Sequence, residues 1–490
     1  MKIGAPWLAL ALVLTAGVIA LAADGTPAAP ASFDDLDRYL ERAMEEARIP
    51  GLAVGVVVEN RVEHLRGFGR ADPSGRPVTA QTPFVIGSVT KALTASAVMQ
   101  LVEAGKIDLD APVVKYLPWF RTSDRARSDA ITIRQLLNQT SGLSTLSGRD
   151  KTGVTNLSDD ALEAGVRDLR RETLISRPGA RFHYANCNYR ILGVVAQTVS
   201  GVSYETYMQR QLFDPLGMTR SFTDPARAKR AGLATGHRYW FNHPVATDAP
   251  FPRGALPSGY VMSTAEDMSR FLLAHLGIGM PFDPESLDVL HAPASRRGYA
   301  MGWFVEEWYG ERVLVHSGLT PGFRSAVALV PSRGSAFVLL MNASRTTSES
   351  VQAALTGGLI RFLLGKSPGK VTMPPAARRP ESVLLAITLG LAAGLVWQIR
   401  ASRRRTRAYR APFVQASLAV AALAAWTWGT FVALPAAHMG TFGLLVLFAP
   451  DVGWLLVADE VLFFAWAAFV VASRLIPLWR RRAKVSIGSA

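Results

Sequence analysis

Cysteine is nearly missing from this chain. One residue, Cys187, occurs among 490. No disulfide can form within the chain, and no thiol near the start offers a lipid attachment point. A lone cysteine without ligand partners points to a small buried side chain rather than a nucleophile or metal ligand. Acidic residues are also sparse, 38 against 53 Lys and Arg, for a formal charge of +15. Such a balance first suggests nucleic acid. Location argues against that reading. Arg400, Arg403, Arg404, Arg405, Arg407 and Arg410 form one group, and Arg474, Arg480, Arg481, Arg482 and Lys484 a second. Both flank apolar runs, which is the pattern of membrane topology. Apolar residues make up 49%, and the mean hydropathy of +0.18 is high for a wholly soluble protein.

Residues 1–23 read as a secretory signal peptide or an uncleaved N-terminal anchor. Lys2 supplies charge, Trp7 to Leu21 the apolar stretch, and Ala20-Leu21-Ala22 a small-x-small cleavage site. Residues 24–32 form an Ala- and Pro-rich linker. Residues 33–365 read as one domain. Phe33 to Ala47 has helical spacing. Gly51 to Glu59 is a continuous apolar run of strand length, paired with Val62 to Gly69 through an Asn60-Arg61 turn. Thr90 to Gly105 predicts a helix stopped by Gly105. Leu136 to Leu143 ends a short helix at a Ser-Gly turn. Ile191 to Val199, Tyr204 to Leu212 and Thr264 to Leu276 have helical periods. Val313 to His316, Ser325 to Val330 and Ala336 to Met341 predict an antiparallel meander, and Val351 to Leu364 a closing helix. Strands lie at both ends with helices between. The expected fold class is α+β, an antiparallel sheet flanked by helices plus a mostly helical subdomain.

Residues 366–381 read as a linker, residues 382–480 as a membrane region, and residues 481–490 as a basic cytoplasmic tail. Spans are expected at Val383 to Ile399, at Phe413 to Leu434 and within Leu455 to Leu478. Asp459, Glu460 and Arg474 blemish the third span and are expected to reach an interface. Thr441 to Pro450 reads as interfacial or re-entrant. The basic groups place the Arg400 to Arg410 loop and the C-terminus in the cytoplasm. Three spans then put everything before Pro380 outside, and the N-terminal signal requires the same.

Three short motifs carry the chemistry. Phe84 to Lys91 reads Phe-Val-Ile-Gly-Ser-Val-Thr-Lys. At the start of a helix, Ser88 and Lys91 share a face, and the free N–H groups there favour an oxyanion. A neighbouring lysine helps strip the serine of its proton. Tyr184-Ala185-Asn186 supplies a phenol and an amide. A nearby ammonium lowers a phenol pKa and lets it act as a base, and an asparagine amide orients a substrate carbonyl without adding charge. His316-Ser317-Gly318, after a strand-like run, offers a glycine edge where a substrate backbone can approach. Each motif alone is common in proteins.

Together and in this order they resemble the serine β-lactamase and penicillin-binding-protein superfamily. The resemblance is to the class C β-lactamase-like branch, with its D-aminopeptidases, D,D-carboxypeptidases and esterases. It covers roughly Phe33 to Leu364. It also rests on Pro83 to Ser88, on Leu136-Leu137-Asn138-Gln139-Thr140-Ser141-Gly142-Leu143, on Pro257-Ser258-Gly259-Tyr260, and on Gly322-Phe323 followed by Val330-Pro331. Class A fits poorly, because Tyr-x-Asn stands in place of Ser-Asp-Asn and no Glu-x-x-Leu-Asn segment occurs. The resemblance implies that Ser88 is the acyl-accepting nucleophile, Lys91 its proton partner, and Tyr184 the general base that later protonates the leaving group. Asn186 would hold the network and the substrate. The N–H groups of Ser88 and Leu319 would form the oxyanion hole, beside His316, Ser317 and Gly318. No metal and no cofactor is implied.

The third motif departs from the family's Lys-Thr-Gly. A histidine is mostly neutral at pH 7 unless its surroundings raise its pKa. His316 therefore weakens the case for binding a substrate carboxylate, and moves the expectation from β-lactamase towards peptidase, amidase or esterase. The expected function is a membrane-anchored extracytoplasmic serine hydrolase acting through an acyl-enzyme on an amide or ester, such as a D-amino-acid peptide or cell-wall fragment. The alternative is a membrane sensor that binds cell-wall peptides or β-lactams. The expected partners are that small substrate and the lipid bilayer, with no nucleic acid.

Overall fold

Ser32 opens the first helix, α1 (Phe33–Ala47), with a capping box. Its hydroxyl accepts from the Asp35 N–H, while the Asp35 carboxylate accepts from the Ser32 N–H. This computed structural model describes residues 32–148, 155–279, 283–294, 298–344, 349–370, 380–403, 412–433 and 441–487. The expected signal over 1–23 and nearly all of the 24–32 linker lie outside the described residues. So do 371–379 of the second linker and the arginines from Arg404 to Arg410.

The strands are β1 (Gly51–Val58), β2 (Arg61–Gly69), β3 (Phe84–Val85), β4 (Gly236–Trp240), β5 (His243–Thr247), β6 (Met262–Ser263), β7 (Tyr299–Ala300), β8 (Trp303–Trp308), β9 (Glu311–Thr320), β10 (Phe323–Val330), β11 (Ser335–Met341) and β12 (Ala343–Ser344). Seven form the main sheet in the order β2-β1-β11-β10-β9-β8-β7, every neighbouring pair antiparallel. The N-terminal hairpin therefore docks on the C-terminal meander, as the run of strands at both ends predicts. The β1–β2 turn lies one residue earlier than expected. Glu59 and Asn60 carry the positive φ values, 48° and 62°, and Arg61 already pairs with Val58. A two-residue hairpin turn of this hand needs positive φ at both centres, and Asn60 tolerates that better than Arg61.

The sheet is covered on both faces, which explains why β1, β10 and β11 are buried along nearly their whole length and mostly apolar rather than alternating. One face packs against α1 and the closing helix Glu349–Leu363, tied by Tyr39 Oη donating to the Ala354 carbonyl at 2.7 Å. The other face meets the larger helical layer. At its centre is α2 (Thr90–Glu103), buried on nearly all sides. Beside it lie α3 (Asn186–Ser200) and α4 (Ala265–His275). The expected short helix near Leu136 is Ile133–Leu137, ending just before the Asn138-Gln139-Thr140-Ser141-Gly142 segment. The class is α+β, as the sequence implies.

Three helices are long and apolar enough to cross a membrane: Glu381–Arg400, Val414–Ala433 and Pro450–Ile476. A short helix, Phe442–Phe448, precedes the last and packs on it. One expectation is corrected. The third apolar helix begins at Pro450, so Asp459 and Glu460 sit about 13 Å along it rather than at its end. They reach neighbouring helices. Thr388 Oγ1 donates to Asp459 Oδ1 at 2.6 Å, and Thr427 Oγ1 donates to Glu460 Oε1 at 2.5 Å. Carboxyl groups inside an apolar bundle need such partners. Arg474 donates to Gln415 Oε1 at 2.7 Å.

Candidate active site

The Ser88 turn comes first. Gly87–Val89 form a 3-10 turn ahead of α2, so Ser88 stands just before the helix rather than within its first α-helical turn. Gly87 has φ +53°, a conformation that side chains resist. The turn is clamped on two sides. Ile86 N–H donates to the Val261 carbonyl at 3.0 Å, and Ser325 Oγ donates to the Ile86 carbonyl at 2.6 Å. Lys91 is fully buried. Its ammonium donates to Ser88 Oγ at 3.0 Å and to the Ser258 carbonyl at 2.6 Å. These bonds offset the cost of burying a cation and aim it at the hydroxyl.

Tyr184 arrives from another element. Lys91 Nζ lies 4.9 Å from the centre of the Tyr184 ring and 5.8 Å from that of Tyr189. Gln139 fixes the approach to α3. Held at φ +61°, it accepts at Oε1 from the Ala185 N–H (2.9 Å) and from Asn188 Nδ2 (2.6 Å). Its own carbonyl accepts from the His183 N–H at 2.8 Å. Ser141 Oγ closes the network by donating to Asn188 Oδ1 at 2.6 Å. The Leu136 to Leu143 segment thus works as a bracket for Tyr184. Asn186 is the first residue of α3, half-buried, and its Oδ1 is buried without a hydrogen-bond partner among the described residues.

Strand β9 supplies the third side. Gly318 lies against the Ser88 turn, because a Cβ there would overlap the Ile86 carbonyl oxygen and Ser325 Oγ. The Leu319 nitrogen is 2.5 Å from where a Cβ on Gly87 would stand. The backbone of Gly318 and Leu319 therefore touches the turn that carries Ser88. Pairing between β8 and β9 stops at Phe304 and Val315, while β10 follows β9 to Thr320. Among the described residues, one edge of His316 to Thr320 has no strand partner. Ser317 alternates to the other face of the strand and is exposed.

His316 is buried, 2% exposed. Its Nδ1 lies 2.8 Å from the Ser317 carbonyl, which can only accept, so the proton belongs on Nδ1. Nε2 is buried without a hydrogen-bond partner among the described residues. Burial, and next the Lys91 charge, push its pKa down to about 3 against the opposing pull of the Ser317 carbonyl. The imidazole is neutral across the physiological range. The rings of Phe304, Tyr184 and Tyr299 surround it at 5.5, 6.2 and 6.2 Å. Cys187 is wholly buried, with its thiol pKa pushed up to about 12 chiefly by burial, and takes no visible part. Among the described residues, no cluster of His, Cys, Asp or Glu is placed to hold a metal ion.

Motif reading missed several members of this site. The Ser258 carbonyl, Gln139, Tyr299 and Phe304 come from segments distant from the three motifs, while Phe182 and Asn188 flank the Tyr184 motif itself. Only the Gln139 and Ser258 segments carried a signal, as parts of the quoted landmarks.

The family described as beta-lactamase matches residues 36–359. The chain belongs to the beta-lactamase family. Within it, the chain is 32% identical over 366 residues to penicillin-binding protein 4 of Amycolatopsis lactamdurans, covering 69% of this chain and 92% of that one. It is 29% identical over 319 residues to protein flp of Staphylococcus aureus, covering 64% of this chain but only 63% of the relative's length. The fold is similar to the octameric penicillin-binding protein homologue from Pyrococcus abyssi, with a TM-score of 0.61 and 26% identity, over 72% of this chain and 81% of that one. In this member of the beta-lactamase family the three apolar helices lie C-terminal to the matched region.

Proposed function

We propose that this protein is a serine hydrolase that works through an acyl-enzyme on Ser88, with residues 33–365 as the hydrolase domain and residues 382–480 as its membrane anchor. One observation carries the reading: a fully buried ammonium, Lys91, donates to Ser88 Oγ at 3.0 Å, at a turn pressed against the Gly318-Leu319 backbone.

In this reading Ser88 Oγ attacks the substrate carbonyl carbon. Its proton passes to Tyr184 Oη through the field of Lys91. The carbonyl oxygen becomes an oxyanion, held by the N–H groups of Ser88 and Leu319. On collapse, the C–N or C–O bond breaks and the leaving group takes the proton from Tyr184. Water then attacks the ester, gives its proton to Tyr184, and releases the acid with Ser88 restored. Asn186 and the free edge of β9 orient the substrate backbone. The neutral His316 offers no cation for a carboxylate, which favours a peptide, amide or ester over a β-lactam. A D-amino-acid peptide or cell-wall fragment outside the membrane fits the anchoring and topology.

Two contacts support placing the hydrolase domain and the Pro450 end of the last helix on one side of the bilayer. Arg238 Nη1 donates to the Leu447 carbonyl at 3.1 Å, and Phe241 N–H donates to Asp451 Oδ2 at 3.1 Å. The test of the enzyme reading is labelling of the full chain in detergent with a fluorophosphonate. Label on wild type and none on Ser88→Ala is the expected result; equal labelling of both removes the assignment.

The same contacts favour a second reading, a membrane sensor. The β4–β5 hairpin that meets the membrane helices also touches the turn after β9, where His237 N–H donates to the Gly322 carbonyl at 3.2 Å. A ligand on β9 would then be felt at the helices. Catalytic turnover of small esters by the full chain argues against a purely sensory role.

A further inference from the structure

Beyond the nucleophile, the site has an aromatic wall at one end of the open β9 edge. Phe304 stands where β8 stops pairing, and its ring stacks on Tyr184 at 6.4 Å with 13° between planes. Phe182 packs against Phe304 at 6.3 Å and against Tyr299 at 5.5 Å. Tyr299 meets Phe304 edge-on at 4.9 Å and is itself buried. Phe182, Tyr184 and Phe304 keep part of their surface exposed. Phe304 also packs against the core between the sheet and α1, so the three rings are anchored by buried neighbours while each stays partly open.

Placement gives this face a role. A substrate strand lying along His316 to Thr320 runs towards Phe304 at the end where β8 begins. Tyr184, stacked on Phe304, is the group that protonates the departing atom in the reaction proposed above. The wall therefore adjoins the leaving group. An apolar wall with a neutral imidazole behind it favours burial of apolar surface and penalises an unpaired charge. We propose that Phe182 and Phe304 form a leaving-group subsite for an uncharged apolar group, aromatic or branched aliphatic. Substrates ending there in a free carboxylate or an ammonium are excluded by desolvation. The inference rests on the acyl-enzyme reading and adds the chemical class of the group released.

The test uses the full chain in detergent and four substrates with one acyl group, N-acetyl-D-alanyl. The leaving groups are D-phenylalanine amide, D-alanine amide, D-lysine amide and D-alanine with its carboxylate free. The wild type is expected to release D-phenylalanine amide at least about tenfold faster, by kcat/KM, than any of the other three. Phe304→Ala and Phe182→Ala are expected to erase most of that preference. Phe304→Leu, which keeps apolar bulk, retains much of it. A role in folding alone would lower all four rates together and leave their ratios unchanged; that outcome overturns the proposal. Equal wild-type rates, or a preference for the charged groups, also overturn it, while leaving the Ser88 assignment intact if the phosphonate label still maps there. No release from any substrate, with no label on Ser88, overturns both.

Discussion

The Leu319 amide nitrogen lies 2.5 Å from the position a methyl group would take on Gly87. Gly87 also holds φ +53°, so any side chain there is strained and pushes on backbone rather than on a flexible tip. Gly87→Ala is expected to fold with a loss of about 1–3 kcal/mol while moving β9 away from the Ser88 turn. Turnover of an activated ester should fall by roughly a hundredfold or more, the scale of one lost oxyanion donor. Parallel unfolding and kinetic measurements check the two effects. A large loss of stability with full turnover would contradict this account of the Leu319 N–H.

Lys91 donates to Ser88 Oγ and to the Ser258 carbonyl, in a space with no exposure. Lys91→Met keeps the volume and removes the charge and the donors. Acylation should slow by roughly 10²–10⁴-fold, the range for positioned proton transfer, while the fold survives. Lys91→Arg is not a conservative change, since a planar guanidinium is a different shape from an ammonium. Single-turnover kinetics on both variants give the comparison.

Buried histidines set an acid limit on stability. Burial and the Lys91 charge hold His316 down to about 3. Burial and next Arg312 hold His291 down to about 4. Burial and next His291 hold His275 well below its ordinary value. Each folded-state value is depressed below that of the unfolded chain, near 6.5. In the window below 6.5 the unfolded chain therefore binds protons that the folded chain does not. Their stabilisation is complete above pH 6.5 and is lost progressively as pH falls towards these folded values. Thermal unfolding in detergent should show a midpoint that declines from pH 6.5 to pH 4.5. His316→Phe should reduce the slope, by up to about 1.4 kcal/mol per pH unit at the steepest point. A flat profile for the wild type would contradict the burial of neutral imidazoles.

Much of the hydrolase fold is legible in the sequence because its signals are local. Gly51 to Val58 is apolar without alternation, which marks a strand covered on both faces. The Ser88 and Tyr184 motifs stand just before helices and Gly87 marks the first, while Gly318 marks the His316 motif inside β9. The missing parts depend on long-range contact. Nothing near Gln139 says that its amide will hold Ala185 and Asn188. Nothing near Phe304 says that it will stack on a tyrosine 120 positions earlier. The error at Asp459 and Glu460 has the same origin. Hydropathy places the third span late because the charges interrupt it, whereas the helix runs on from Pro450 with both carboxyl groups partnered by the hydroxyls of Thr388 and Thr427.

Those hydroxyls make a prediction of their own. Thr388→Val and Thr427→Val each remove a donor to a carboxyl inside the helix bundle. Each is expected to weaken helix association by about 0.6–1.7 kcal/mol, read as a lower detergent-unfolding midpoint, with esterase activity unchanged before unfolding. No shift in either variant would contradict the Asp459 and Glu460 pairings.

The wild-type thiol, Cys187, is wholly buried with its pKa pushed up by burial, so it is expected to resist alkylation and a cysteine introduced elsewhere to report alone. Ser402→Cys in intact cells should be shielded from a membrane-impermeant maleimide and react after permeabilisation. Ser367→Cys should react in intact cells. The reverse pattern would contradict the proposed orientation.

The measurement closest to the central claim is mass mapping of the trapped intermediate. The full chain, mixed with a slowly released p-nitrophenyl ester and quenched in acid, is digested and its peptides weighed. The account predicts one acyl adduct, on the peptide containing Ser88, reduced in Lys91→Met and absent in Ser88→Ala. An adduct on another residue, or one that persists in Ser88→Ala, would contradict it.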